Sequence, residues 1–174
     1  MVDMATKETE TPKSGPNPEQ ESKPETETPS GQTPRVDFYV SKDSNSQFTL
    51  LTACRIAEKA LTAGHRIHIR MRSQEECEKL DALLWTFRDR SFIPHELSNH
   101  PIENCPVTIS PEINEKHADM LLNVADEIPQ NIKQFQRIAE IIGNQPESID
   151  AGRERYRFYR ENGLDPQHHE VSSS

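Results

Sequence analysis

The sequence predicts an α/β fold with a mainly parallel sheet and flanking helices, preceded by a disordered extension. Three observations carry that prediction. Short β-type runs alternate with segments of helical periodicity after Val36. One run, Ala118 to Val124 (ADMLLNV), suits the centre of a parallel sheet, where both faces are covered. Residues 1–34 hold six of the thirteen prolines, six threonines and seven acidic residues, with no apolar side chain between Ala5 and Pro34. Such a segment buries too little apolar surface to offset chain entropy, so it reads as disordered.

The elements follow in chain order. Val36 to Val40 is a β-type run. The polar stretch Ser41 to Ser46 comes next, in which Ser44 or Asn45 can cap a helix. Leu50, Cys54, Ala57 and Leu61 recur at i, i+4, i+7 and i+11, one apolar stripe of a helix that Gly64 ends. Arg66 to Arg70 (RIHIR) is the second strand. Ser73 and Glu76 form a capping box, opening a helix with Leu80, Leu83, Leu84 and Phe87 on its buried face and Cys77 beside them. A loop rich in Pro, Asn and His leads to the strand Val107 to Ile109. After the Ala118–Val124 strand, Ile128 to Arg137 reads as a short helix. Ile138 to Ile142 reads as a strand ending at Gly143, and Ser148 to Asn162 as a last helix, closed by Gly163 and Pro166. The predicted organisation is an extension over 1–34, a single α/β domain over 35–166 and a flexible polar tail over 167–174.

Composition and motifs exclude several functions. The formal net charge of −9 argues against a protein that coats nucleic acid strongly. There is no apolar run long enough for a membrane span and no signal-peptide core at the start. Three widely spaced cysteines (Cys54, Cys77, Cys105) form neither a disulfide framework nor a CxxC metal site, and fit reduced thiols in a cytoplasmic protein. The six glycines are too scattered for GxGxxG or a phosphate loop. HExxH and GxSxG are absent, so no catalytic constellation, metal or cofactor is expected. The turn Ser41 to Ser46 is polar enough to hold an anion at a helix N-terminus, but an ordinary polar loop and cap is the better reading. An α/β enzyme with an unrecognised site stays as a weak rival.

Two surface constellations stand out. Trp85 falls about 140° from Leu80 at 100° per residue, off the buried stripe, and Phe92, Ile93 and Pro94 follow on a loop. Large aromatic area beside a proline loop suits a protein-binding hot spot, and somewhat better a cluster packed beneath that loop. The second is the last helix, where Ile149, Arg153, Tyr156, Arg157 and Arg160 share one face, with Ala151, Phe158 and Tyr159 opposite. Arginine pairs bidentately with carboxylates and Tyr beside Ile can form an apolar slot. Together they suit an acidic peptide with an apolar, carboxylate-bearing end, or simply a solvated arginine-rich face.

In these segments the sequence resembles the chi subunit of bacterial DNA polymerase III holoenzyme. The resemblance covers roughly Val36 to Leu164. It rests on DFYV, LDALLW, SFIPHEL, PVTI, ADMLLNV, FQRIAEII and RERYRFYRENG in that order. It implies a mononucleotide-binding-like topology without a phosphate loop. It also implies a non-catalytic accessory subunit of the clamp-loader complex. The implied partners are the psi subunit and the acidic C-terminal tail of single-stranded-DNA-binding protein. By that resemblance Arg153 and Tyr156, with Arg157, Arg160 and Ile149, would take the tail, and Trp85, Phe92, Ile93 and Pro94 would face psi. A repair helicase using the same aromatic surface is the alternative partner.

Overall fold

The computed structural model describes residues 33–89, 92–97, 104–113 and 118–172. The chain runs β1 (Arg35–Ser41), α1 (Ser46–Thr62), β2 (Ile67–Arg70), α2 (Gln74–Thr86), β3 (His95–Leu97), β4 (Val107–Ser110), β5 (Met120–Asn123), a 3-10 turn over Ile132–Gln134, β6 (Arg137–Ile142), α3 (Pro146–Glu161) and β7 (Gln167–Val171). The strands form one seven-stranded sheet in the order β3-β4-β2-β5-β6-β1-β7, every adjacent pair parallel. The prediction of an α/β fold on a parallel sheet is therefore met, and β5 lies at its centre.

Side chains alternate along each strand, and that alternation builds two cores. Ala139 and Ile141 of β6 join Met120 and Leu122 of β5 under α1 and α2. Ile138 and Ile142, with Leu121, Val36 and Phe38, pack on the other side against Tyr159 of α3. Helix α1 starts where the sequence places it, with Asn45 accepting from the Gln47 amide at 2.9 Å. Ser73 caps α2 through the Glu76 amide, and the Glu76 carboxylate accepts from the Arg72 amide. On α2, Cys77, Leu80 and Leu84 are buried, whereas Leu83 and Phe87 are half-buried at the rim.

Several expectations are corrected. The helix read over Ile128–Arg137 is only the 3-10 turn, because Pro129 interrupts it and Asn131 sits at φ 52°, a left-handed conformation no helix continues through. The tail over 167–174 is not loose along its first five residues: Gln167–Val171 is β7, paired in parallel with β1. Backbone hydrogen bonds hold it there, and its polar QHHEV sequence is tolerated because an edge strand has open faces. The folded unit therefore runs past 166. Part of the loop after α2 becomes β3, too short to show a period. Of the extension read over 1–34, residues 1–32 lie outside the described residues, and Pro34 is buried.

Candidate functional site

Helix α3 presents two different faces. Its first turn carries Pro146, whose missing N–H costs nothing there. Ser148, Gly152, Arg155 and Tyr159 recur at i, i+4, i+7 and i+11 and form the buried stripe. Gly152 is required by closeness: a Cβ there would stand 2.9 Å from Ile142 Cδ1. The helix thus lies tight on β6 and directs Arg155 into the core. Arg155 Nε donates to Glu140 Oε2 at 2.9 Å, and its Nη1 to the Asp126 carbonyl at 2.6 Å. Tyr159 donates to Glu140 Oε1 at 2.6 Å and Asn123 Nδ2 to Oε2 at 2.9 Å. Burial pushes the Glu140 carboxyl up, opposed by the Arg155 guanidinium and these donors. Three side chains thus donate to its two oxygens.

The opposite face of α3 is open. Tyr156 is 39% exposed and leans edge-on against Phe38 at 5.5 Å, which fixes its ring while leaving one side to solvent. Arg153, Arg157 and Arg160 are exposed around it. Arg153 pairs with Asp150 at 3.0 Å and Arg160 with Asp165 at 2.6 Å, exposed pairs of small worth that an incoming carboxylate can displace. Ile149 is half-buried against the second core, so it supports this face more than it forms it. Ala151 and Phe158 are half-buried at the flanks.

The aromatic constellation lies at the other end of the sheet, where α2 meets β3. Trp85 and Phe92 are 59% and 68% exposed, with ring centroids 5.5 Å apart. His95 supports them from beneath: its ring is 5.0 Å from Trp85, its Nδ1 lies 2.7 Å from the Ile93 carbonyl, and Nε2 lies 3.2 Å from Asp81. Ile93 does not share this surface. It is buried in the first core, the apolar anchor that pins the loop so that Phe92 projects, and Pro94 is half-buried.

Nothing in the described residues gathers three metal-ligating side chains, and no described helix is long and apolar enough to cross a membrane. Burial pushes the Cys54 and Cys77 thiols up to about 12 and about 11, so both are inert packing groups at neutral pH.

With this geometry in view, comparison with known proteins is decisive. The profile of the family described as DNA polymerase III chi subunit, HolC, matches residues 33–167. The chain belongs to the DNA polymerase III chi subunit family. It is 37% identical to the DNA polymerase III subunit chi of Pseudomonas aeruginosa over 138 residues, which span 79% of this chain and 96% of that one. The chi subunits of Haemophilus influenzae and Escherichia coli match at 26% and 25% identity, over 74% and 64% of this chain and 91% and 78% of theirs. Chi is a non-catalytic accessory subunit of DNA polymerase III, which places this chain in DNA replication and sets aside the enzyme reading.

The structure gathers Arg153, Tyr156, Arg157 and Arg160 on one open face, and Trp85 with Phe92 on another. What sequence reasoning missed is Arg155, counted among no functional or core residues. The usable signal was Glu140, a carboxylate inside the apolar strand RIAEII, which requires a buried partner.

Proposed function

We propose that this chi subunit is a tethering adaptor of the clamp-loader complex. It captures the acidic C-terminal tail of single-stranded-DNA-binding protein on α3 and docks the psi subunit through Trp85 and Phe92. The observation that carries the reading is the α3 face: three exposed guanidiniums around a half-exposed tyrosine whose ring is held by Phe38. A terminal carboxylate suits the guanidiniums, and an apolar end residue suits the Tyr156 ring beside Ile149. The aromatic pair supports the second contact, since a rigid, exposed Trp–Phe surface loses little rotamer entropy on binding. Two weak contacts on separate faces raise the local concentration of the polymerase at coated template without any catalysis.

The test is fluorescence polarisation with a labelled acidic peptide ending in an aromatic residue and a free carboxylate, against the same peptide amidated. Binding is expected with the free carboxylate and lost on amidation. Arg153→Ala should weaken it roughly tenfold or more, since charge-assisted bonds contribute about 1.5–3 kcal/mol each. Arg153 is exposed, so its melting curve should be unchanged. Equal binding of both peptides would overturn tail capture.

Phe92→Ala separates the two faces. Copurification of psi is expected to fall at least about tenfold, the range of a hot-spot aromatic, while peptide binding stays at the parent value. Loss of both activities together would indicate a folding defect instead.

A further inference from the structure

A groove with a volume of ≈ 690 Å³ runs beside the second half of α1. Alternation along β1 puts Asp37 and Tyr39 on the α1 side of the sheet and Val36 and Phe38 on the α3 side. Helix α1 packs over β2 and β6. Tyr39 is therefore only half covered, and its outer neighbour comes from β7, where His169 stacks on it at 5.0 Å. The step from the helix down to this open part of the sheet is the groove. Ile56, Ala60 and Met120 join Tyr39 as its apolar lining.

Its rim is cationic. Arg55, Lys59, Arg88 and Arg137 line it against a single lining carboxylate, Glu58. Arg88 pairs with Glu58 at 3.3 Å and Arg137 with the buried Asp37 at 3.0 Å. Arg55 and Lys59, both exposed on α1, have no ion-pair partner among the described residues. Asp119, next to the lining Met120, is engaged by His65 at 3.4 Å and by the Arg66 amide at 3.0 Å. A local excess of positive charge thus stands on a protein of net charge −9.

The chain itself carries the complement. Residues 1–32, outside the described residues, hold seven carboxylates against three lysines. Glu19, Glu21, Glu25 and Glu27 fall within nine of those residues, with Lys23 the one cation among them. This segment joins the fold at the mouth of the groove. Arg35 Nη2 and Arg137 Nε donate to the two oxygens of the Asp37 carboxylate, each at 3.0 Å, so the start of β1 stands beside a lining residue. The reach is sufficient. The lining stretch of α1, from Arg55 to Ala63, is about 12 Å long at 1.5 Å per residue. The six positions from Glu27 to Thr33 span up to roughly 20 Å when extended. A tethered partner acts at an effective concentration on the order of millimolar, so weak exposed ion pairs are enough to seat it.

We propose that the acidic segment 19–27 of this chain occupies the groove, with its carboxylates paired to Arg55 and Lys59. Seated there, it screens the excess charge and excludes untethered polyanions from the groove. The groove lies on the α1 side of the sheet and the guanidiniums around Tyr156 on the α3 side, so this contact is independent of tail capture.

The test is zero-length carbodiimide coupling of the full chain, read by peptide mass spectrometry. The reagent joins a carboxylate to an amine only where the two are in contact. Lys59 is the one lysine lining the groove. Lys133 lines the cavity beside Thr33 and Pro34, where a tether without a seat meets it first. Coupling of a glutamate of 19–27 to Lys59 is expected at several times the yield at Lys133. Arg55→Ala, on an exposed side chain, should cut that yield about twofold or more, the worth of one exposed ion pair. Mixing isotopically heavy and light chains separates coupling within one chain from coupling between two. Heavy–light products at the level of random mixing would assign the groove to a second copy and overturn the proposal. Amide NMR of the full chain gives an independent reading. Glu19→Gln, Glu21→Gln, Glu25→Gln and Glu27→Gln together should shift the amides of Arg55, Lys59 and Arg88 and leave those of Arg153 and Arg157 in place. Equal coupling at Lys59 and Lys133, or shifts on α3 in place of α1, would also overturn it.

Discussion

Arg155→Ala is expected to lower the unfolding free energy by about 3–5 kcal/mol, the cost of breaking a buried ion pair from one side. Both Arg155 and Glu140 have side chains 0% exposed. Removing the guanidinium leaves the carboxylate with only Tyr159 and Asn123 as donors and strips the Asp126 carbonyl of the 2.6 Å bond it accepts. It also leaves a cavity beneath α3, and the cavity adds to the cost. Equilibrium urea unfolding measures the effect. A loss under about 1 kcal/mol would mean that water reaches Glu140 and that the pair behaves as a surface bridge. The paired replacement Glu140→Gln with Arg155→Met should recover much of the loss, because it is the uncompensated charge that is expensive. Since Arg155 lies behind the face that carries Arg153 and Tyr156, peptide binding should stay at parent strength at temperatures where the variant is folded.

The second large effect is a fall in stability of about 3 kcal/mol as pH drops from 6.5 toward 4. Its source is His68 on β2, which is completely buried. Nδ1 lies 2.8 Å from Thr108 Oγ1 and Nε2 2.8 Å from the Glu112 carbonyl, an arrangement that suits the neutral ring with its proton on Nε2. Burial pushes its pKa from 6.5 down to about 4, with the Glu112 carbonyl opposing and the Arg70 charge assisting. The unfolded chain therefore binds a proton below 6.5 that the folded chain refuses until about 4. Stability is whole above 6.5, declines through that window, and levels off beneath it. At 1.36 kcal/mol per pH unit the window gives the stated figure. Asp37 does not contribute there: its carboxyl is held below the usual range by His169, Arg35 and Arg137 against desolvation, so its stabilising effect is lost only below its ordinary 3.8. Urea unfolding at pH 7 and pH 4.5 measures the difference, and His68→Gln should flatten it. A parent protein equally stable at both values would show that the ring is solvated.

The architecture was legible because its signals are local. The stripe Leu50, Cys54, Ala57, Leu61, the capping pair Ser73 and Glu76, and the run around Leu121 each need only their neighbours to be read. What could not be read depends on partners distant in sequence. Gln167 to Val171 has no apolar period, and is a strand only because β1 offers it a ladder. Arg155 looks like one more arginine in RERYRFYR until Glu140 is placed opposite it. On the α3 face the helical period sorted Arg153, Tyr156, Arg157 and Arg160 correctly, because exposure on a helix follows from angle. Ile93 was misassigned to the aromatic surface for the converse reason: a loop has no period, and whether a residue projects or anchors is decided by the core beneath it.

Strand β1 has a consequence for biogenesis. It bonds on one side to β6 and on the other to β7, so its two ladders join Asp37 to Ala139 and Gln167, 102 and 130 positions later. A ribosome adding about 5–20 residues per second needs roughly 5–20 s to deliver the first of those partners. For that interval the apolar run Val36 to Val40 has emerged with both edges unsatisfied, a template for pairing with any extended chain nearby. Closure of the sheet around β1 is therefore a late event dominated by distant pairing, and the speed of folding is set by how soon the final strands arrive.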